Sequence, residues 1–326
     1  QLACRQGDFA RALEHADRAI IANALNTKAL SVKAALLRHL GRQAEAAQLA
    51  TLAMTIDPLD FLAGNELYLA RTSAGSAQEA NEALDFLTTK MRGAVQSYLE
   101  TAVDYADCGL WDEAIGVLSR RDDAGESKGA VSPMVYYFLG YFHEQKGDTR
   151  AAAKYYRLGS KANHAYCFPF RQEEDDALRR AIQHNPRDAR AHYYLGNLLY
   201  ERQPGNAIKE WETARELDST FATVHRNLGL AYARLEGNLQ KGIASLEKAF
   251  ACDRNDATVL YELDRLSEEA EIPPEKRLAR FEANQAATLQ RDDALQQEIA
   301  LYVQLGQYEK ALDLLGRRHF HVWEGG

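Results

Sequence analysis

The sequence predicts an all-α protein, a right-handed α-solenoid of about nine helical hairpins. Three observations favour this class. The 326 residues contain no run of alternating β-branched residues long enough for a buried strand. Small residues recur with a period of about 34, which is typical of stacked two-helix repeats. Glycine marks the predicted turn inside several hairpins at the same place in this period.

The turn and the helix after it form a recurring phrase. A glycine is followed two residues later by an aromatic residue and five residues later by alanine. Glycine permits the left-handed turn, the aromatic ring fills the corner between the helices, and alanine lets the two backbones approach closely. The three copies are Gly7, Phe9 and Ala12; Gly109, Trp111 and Ala114; and Gly306, Tyr308 and Ala311.

The period divides the chain into nine predicted hairpins. The hairpin at 60–91 lacks the phrase and is predicted from helical periodicity and from its place between two better-matched hairpins. A loop rich in Gly, Ser and Asp at 121–132 separates the hairpins of 1–120 from those of 133–326 within one continuous solenoid. A connector at 164–173 leads into a helix at 174–184. The predicted hairpins are 1–24, 27–58, 60–91, 95–120, 133–163, 189–219, 222–254, 257–284 and 288–316.

Charge and cysteine usage exclude several classes of function. The formal net charge of -8 opposes binding to a phosphate backbone, so nucleic acid is not an expected partner. The four cysteines show no CxxC pair, which favours separate thiols in a reducing compartment over a disulfide framework or a zinc site. No apolar run reaches the ~20 residues of a bilayer span, and no signal peptide opens the chain. We therefore expect a cytoplasmic protein that does not enter a membrane.

No residue pattern supports catalysis. The carboxylate runs at 122–123, 173–176 and 292–293 are interpreted as helix-start residues that complement the helix dipole. His319 and His321 form an incomplete metal site, and we interpret them as residues that stack on or cap the end of the array. Phosphate loops and the GxSxG and HExxH motifs are missing from the sequence. The prediction is a non-enzyme without a cofactor or metal.

The first helices of the hairpins carry a Leu-Gly signature, in which glycine removes a side chain at the helix crossing. It occurs as Leu139-Gly140, Leu195-Gly196 and Leu228-Gly229. Together with the glycine, aromatic and alanine phrase, this pattern resembles the tetratricopeptide repeat family over most of the chain. The resemblance implies a solenoid whose first helices line a concave groove that binds proteins.

The second half resembles a narrower group, large bacterial proteins with a β-rich amino-terminal region and a helical carboxy-terminal array. This resemblance implies that the chain is a fragment, as does its start without methionine inside a helical pattern. It also implies an alternative function, an accessory array of a carbohydrate-active protein whose catalytic β domain is absent here. The strings that carry it are 168–171, 193–200, 226–229, 260–264 and 320–326.

Residues that flank the Leu-Gly positions are expected to point into the concave groove. Tyrosine offers a large contact area at low entropic cost, and Asn and Arg can bond an extended backbone. The alternative for each tyrosine is packing between adjacent hairpins. The candidate groove residues are Tyr137, Phe138, Tyr141, Tyr193, Tyr194, Asn197, Arg226, Asn227, Tyr261 and Glu262.

One specific groove chemistry is disfavoured. Some tetratricopeptide domains grip a terminal carboxylate with paired basic and asparagine residues, and Asn197 and Asn227 fit that arrangement. Tyr193, Thr258 and Glu262 stand where basic residues would be needed. The leading hypothesis is a protein-binding scaffold that holds a peptide, or a domain of its own full-length chain, in the groove. A homodimer formed through the terminal hairpins is a further hypothesis.

Overall fold

The computed structural model describes residues 2–122, 131–163, 165, 167–317 and 320. All regular secondary structure in these residues is helical, which confirms the predicted all-α class. The chain divides into two compact units: unit 1 comprises 1–167 and 171–184, and unit 2 comprises 168–170 and 185–326. His319, His321, the string after Phe320 and residues 123–130 of the predicted loop lie outside the described residues.

The described residues of unit 1 form five helical hairpins and one further helix. The hairpin at 60–91 is present although it lacks the sequence phrase, and the helix predicted at 174–184 begins two residues earlier. The helices are α1 (Leu2–Arg5), α2 (Phe9–Ala22), α3 (Thr27–His39), α4 (Gln43–Ile56), α5 (Phe61–Ser73), α6 (Ala77–Met91), α7 (Val95–Asp107), α8 (Trp111–Asp122), α9 (Pro133–Gln145), α10 (Thr149–Gly159) and α11 (Gln172–His184).

First and second helices alternate in four hairpins in the described part of unit 2. A short extra helix, α18, precedes the last of them. Within the described residues, no helix of either unit is both long and apolar enough to cross a bilayer. The helices are α12 (Ala189–Leu199), α13 (Pro204–Leu217), α14 (Ala222–Leu235), α15 (Leu239–Cys252), α16 (Ala257–Glu269), α17 (Pro274–Glu282), α18 (Gln285–Thr288), α19 (Asp292–Gln304) and α20 (Tyr308–Arg317).

Short polar side chains start many of these helices. Asp60 accepts a hydrogen bond from the backbone N–H of Ala63 at 2.8 Å, and Asn238 accepts one from Lys241 at 3.0 Å. Such caps satisfy backbone donors that have no partner within the helix. The turns between paired helices use the predicted glycines. Gly41, with φ of 78°, lets the N–H of Arg42 bond back to the carbonyl of Leu37 at 2.9 Å.

In unit 1, one face of α3 and α5 is covered by another helix of the same unit, α7. Helix α7 packs across α3 and α5, where the Tyr105 hydroxyl donates to Glu66 at 2.6 Å and Lys28 pairs with Asp104. Glu66 is fully buried and accepts from the Arg38 Nε atom at 2.8 Å. At the start of α8, Glu113 forms an ion pair with Arg38 of α3. This face of α3 and α5 is therefore occupied by the chain itself.

Glycine at a helix crossing is a steric requirement in unit 2. A Cβ atom on Gly196 would lie 2.4 Å from the Cδ1 and Nε1 atoms of Trp211 and 3.1 Å from the Ala207 carbonyl oxygen. We therefore expect Gly196→Ala to lower the free energy of unfolding by about 1–3 kcal/mol, because the buried indole must shift. Urea unfolding measures this loss.

Gly205 is the matched control for that substitution. It also lies in a helix, but a Cβ atom there would meet no other atom within 4 Å. Gly205→Ala should leave stability unchanged or raise it by up to about 1 kcal/mol. Equal destabilisation by both alanine variants would contradict the steric explanation.

Candidate functional site

The candidate site is a groove in unit 2 along the first helices of its hairpins. It encloses about 470 Å³ between α14, α16 and the start of α19, and we call it the first-helix groove. The lining residues are Leu230, Ala233, Arg234, Thr258, Tyr261, Glu262, Arg265, Leu266, Glu269, Arg291 and Asp293.

Close helix packing shapes one wall of this groove. Gly229 and Gly242 bring the backbones of α14 and α15 together, since a Cβ atom on Gly229 would lie 3.0 Å from the Gly242 carbonyl oxygen. This contact fixes the rotation of α14. One face of α14 then presents Arg226, Leu230 and Arg234, which follow each other at intervals of one helical turn.

Two of the arginines at the groove are neutralised by carboxylates of the same unit. Arg226 Nε donates to Glu262 at 2.7 Å, and this bond raises the pKa of Arg226 above its ordinary value. Arg291 Nη2 donates to Asp293 at 2.7 Å. These pairs join α14 to α16 and fix the start of α19. They leave little positive charge for a ligand.

Arg234 and Arg265 differ from those two arginines. Both side chains are exposed, and neither has an ion-pair partner among the described residues. Glu269, at the same rim, is exposed and likewise without an ion pair in the described part of the chain. Two guanidinium groups against one carboxylate leave the groove with an excess of available positive charge.

A second hollow of about 450 Å³ lies in unit 1 among α4, α5 and α6. It is lined largely by alanines and short polar side chains, and its arginine, Arg71, already contacts Glu79 at 3.5 Å. It offers neither an aromatic ring nor an unpaired cation. The first-helix groove therefore has the stronger chemistry for recognition.

The ten predicted groove residues fall into three groups. Asn197, Arg226, Asn227, Tyr261 and Glu262 are partly exposed residues of first helices in unit 2. Asn227 Nδ2 and Trp211 Nε1 both donate to the Asn197 side-chain oxygen at 3.1 Å. Tyr261 and Glu262 line the first-helix groove directly. These five remain candidates for ligand contact.

Four other predicted residues are core residues, which corrects their assignment to an open groove. Tyr137, Phe138, Tyr193 and Tyr194 are each at most 4% exposed. Tyr193 packs on Phe221 with ring centroids 4.7 Å apart. A side chain at this depth cannot touch a ligand without rearrangement, so alanine there would test stability rather than binding.

Tyr141 belongs to unit 1 and is half-buried. Its ring meets Trp111 edge-on at 6.3 Å, so it takes part in packing between hairpins. Sequence reasoning missed Arg234 and Arg265 because it considered only residues next to the Leu-Gly positions. The signal was present, since Arg234 lies two turns after Arg226 and Arg265 lies one turn after Tyr261.

Metal and catalytic chemistry find no arrangement in the described residues. No three His, Cys, Asp or Glu side chains among them gather as metal ligands. The helix-start carboxylates Asp292 and Asp293 are buried, and Asp293 is held by Arg291.

Three solved structures are similar to this chain at 17–19% identity. The anaphase-promoting-complex hetero-tetramer Cut9–Hcn1 is matched over 90% of this chain with a TM-score of 0.35, and the chain spans 52% of that protein's length. YrrB, described as a TPR protein with an unusual peptide-binding site, is 19% identical, with a TM-score of 0.28 over 66% of this chain and 98% of that one. PilF of Pseudomonas aeruginosa is 18% identical, with a TM-score of 0.39 over 68% and 88%.

Two sequence profiles also match, and both are described as tetratricopeptide repeat. One covers residues 1–61 and 175–204, and the other covers 135–163. In unit 1 these ranges contain the complete hairpins α1–α2 and α3–α4, and most of the hairpin α9–α10. Over these segments the chain is therefore similar to the tetratricopeptide repeat.

Proposed function

We propose that this chain is a protein-interaction scaffold that binds an acidic polypeptide segment in the first-helix groove of unit 2. The observation that carries the proposal is the position of Arg234 and Arg265. Both are exposed at a groove of about 470 Å³, and neither has an ion-pair partner among the described residues. A tetratricopeptide array without this charge pattern would bind a different class of segment.

The chemistry of the groove supports an extended acidic ligand. A guanidinium group forms two parallel hydrogen bonds with a carboxylate, which gives both orientation and affinity. Tyr261 and Leu230 lie beside these cations and offer apolar contact to the residue between two acidic side chains. The segment can belong to another protein or to another part of the same full-length chain, since both present the same groups.

Selection of phage-displayed peptides on the intact protein tests the proposal. We expect the enriched peptides to be rich in Asp and Glu. We further expect the double variant Arg234→Glu, Arg265→Glu to bind them at least about ten-fold more weakly, because attraction at two positions becomes repulsion. Raising the salt concentration should weaken wild-type binding in the same direction.

Lys248→Glu is the matched control. Lys248 is an exposed cation on the second helix α15 and does not line the groove. This variant changes the net charge by the same amount per site and should retain the peptides. Equal binding by the double variant, or enrichment of peptides without acidic residues, would overturn the proposal.

A further inference from the structure

Two cysteines that lie 104 positions apart in the sequence meet in unit 1. Cys4 on α1 and Cys108 at the end of α7 are each 3% exposed. Both line one small cavity whose other walls include Leu36 and Leu62. The lining also includes Asp104 and Tyr105, and each thiol is a hydrogen-bond partner of the other.

The backbone segments that carry the two cysteines touch one residue further along, at Arg5 and Gly109. The Cα atom of Arg5 lies 3.2 Å from the place that a Cβ atom on Gly109 would take. The Arg5 side chain also binds the end of α7. Its Nε atom donates to the Asp107 carbonyl oxygen at 3.1 Å, and Nη2 donates to the Asp107 carboxylate at 3.2 Å. Disulfides need Cα atoms about 4.4–6.8 Å apart, so a backbone contact this close beside the two cysteines favours a cross-link between them.

Of the two thiols, Cys4 has the lowered pKa that suits an attacking sulfur, whereas the hydrogen bond to Cys4 and burial raise the pKa of Cys108. A hydrogen bond from the Cys108 thiol lowers the pKa of Cys4 below its ordinary value. The thiolate is the attacking form in disulfide formation, so Cys4 is the expected nucleophile. Cys252 is an exposed residue of unit 2 and does not line this cavity.

We propose that Cys4 and Cys108 are a reversible disulfide site that ties α1 to the end of α7. With hydrogen peroxide as the oxidant, the Cys4 thiolate takes one peroxide oxygen to form a sulfenic acid and releases hydroxide. The Cys108 sulfur then displaces hydroxide from that sulfenic acid, so that two thiols and one peroxide give one disulfide and two waters. A dithiol such as dithiothreitol reverses the bond and is itself oxidised.

Tryptic mapping of the intact chain tests this site, because the four cysteines fall in four different peptides. Cys4 lies in residues 1–5, Cys108 in 93–120, Cys167 in 162–171 and Cys252 in 249–254. After peroxide treatment and alkylation, we expect a linked species of peptides 1–5 and 93–120 that disappears with dithiothreitol. The oxidised protein should also melt at a higher temperature than the reduced protein, because the cross-link restricts the unfolded chain.

Single substitutions separate this pairing from random oxidation. Cys4→Ala and Cys108→Ala should each abolish the linked species and the rise in melting temperature, whereas Cys252→Ser should preserve both. Circular dichroism checks that each variant keeps its helix content. Links that involve Cys252 or Cys167 instead, or a pair that keeps both thiols under oxidant, would overturn the proposal.

Discussion

Replacing Arg277 by alanine is expected to lower the free energy of unfolding of unit 2 by about 3–5 kcal/mol. Arg277 Nε and Nη2 donate to the two carboxylate oxygens of Asp264 at 2.9 and 2.7 Å, and this pair joins α16 to α17. Both residues are at most 4% exposed. Alanine leaves the Asp264 carboxylate buried without its cation, and that desolvated charge is the source of the loss.

Urea unfolding followed by circular dichroism measures this effect, and Arg317→Ala is the matched control. Arg317 Nη2 pairs with Asp313 at 2.6 Å, but both side chains are more than half exposed. Its removal should therefore cost less than about 1 kcal/mol. The double variant Asp264→Leu, Arg277→Met should recover most of the stability, because it removes both buried charges together. A loss from Arg277→Ala no larger than that from Arg317→Ala would refute the explanation.

Acid is expected to destabilise unit 1 through Glu113, by about 3 kcal/mol. Burial acts to raise the pKa of Glu113, but hydrogen bonds from His39 and Arg38, together with their charges, outweigh it and lower the pKa from 4.5 to about 2. Arg38 Nη2 and His39 Nε2 each lie 2.7 Å from the Glu113 Oε1 atom. The folded state therefore holds this carboxylate more acidic than the unfolded chain does.

The direction in which stability changes with pH follows from that order of pKa values. Above about pH 4.5 the Glu113 carboxylate is charged in both states, and its contacts contribute their full stability. As pH falls from about 4.5 to about 2, the unfolded chain takes up the proton first and the contribution is lost. Above this window, Glu113 itself adds no pH dependence.

Comparison with Glu113→Gln isolates this group from the other carboxylates. We expect the difference in unfolding free energy between wild type and variant to be largest at neutral pH and to shrink as pH approaches 2.5. Urea titrations at several pH values give this difference. A difference that stays constant from pH 6 to pH 2.5 would show that Glu113 does not carry the effect.

Much of the local architecture could be predicted from residue patterns. Glycine before an aromatic and an alanine predicted hairpins at 1–24, 95–120 and 288–316, and each contains two main helices in the structure. Periodicity, together with the position between two better-matched hairpins, located the hairpin at 60–91. These patterns succeed because helix starts, turns and close crossings depend on residues within one or two turns of each other.

The candidate site was predicted only in part. Asn197, Arg226 and Tyr261 do lie on first helices in unit 2, yet Tyr193 and Tyr194 are buried. The period of the repeat predicts which helix a residue occupies, but it does not predict how far the next hairpin covers it. Burial depends on the size of side chains from other repeats, such as Phe221 against Tyr193.

The likeness to large bacterial proteins with a β-rich region stays a prediction.

By itself, the sequence determined the helical class, the hairpin period and the placement of first and second helices, because each follows from contacts between near neighbours in the chain. Only the tertiary structure decided which distant groups meet. Glu113 reaches Arg38 across 75 positions, and Cys108 reaches Cys4 across 104. Helix α7 lies across α3 and α5 because side chains from several hairpins pack closely together there. A repeat pattern describes each hairpin separately, so it does not predict this combined packing.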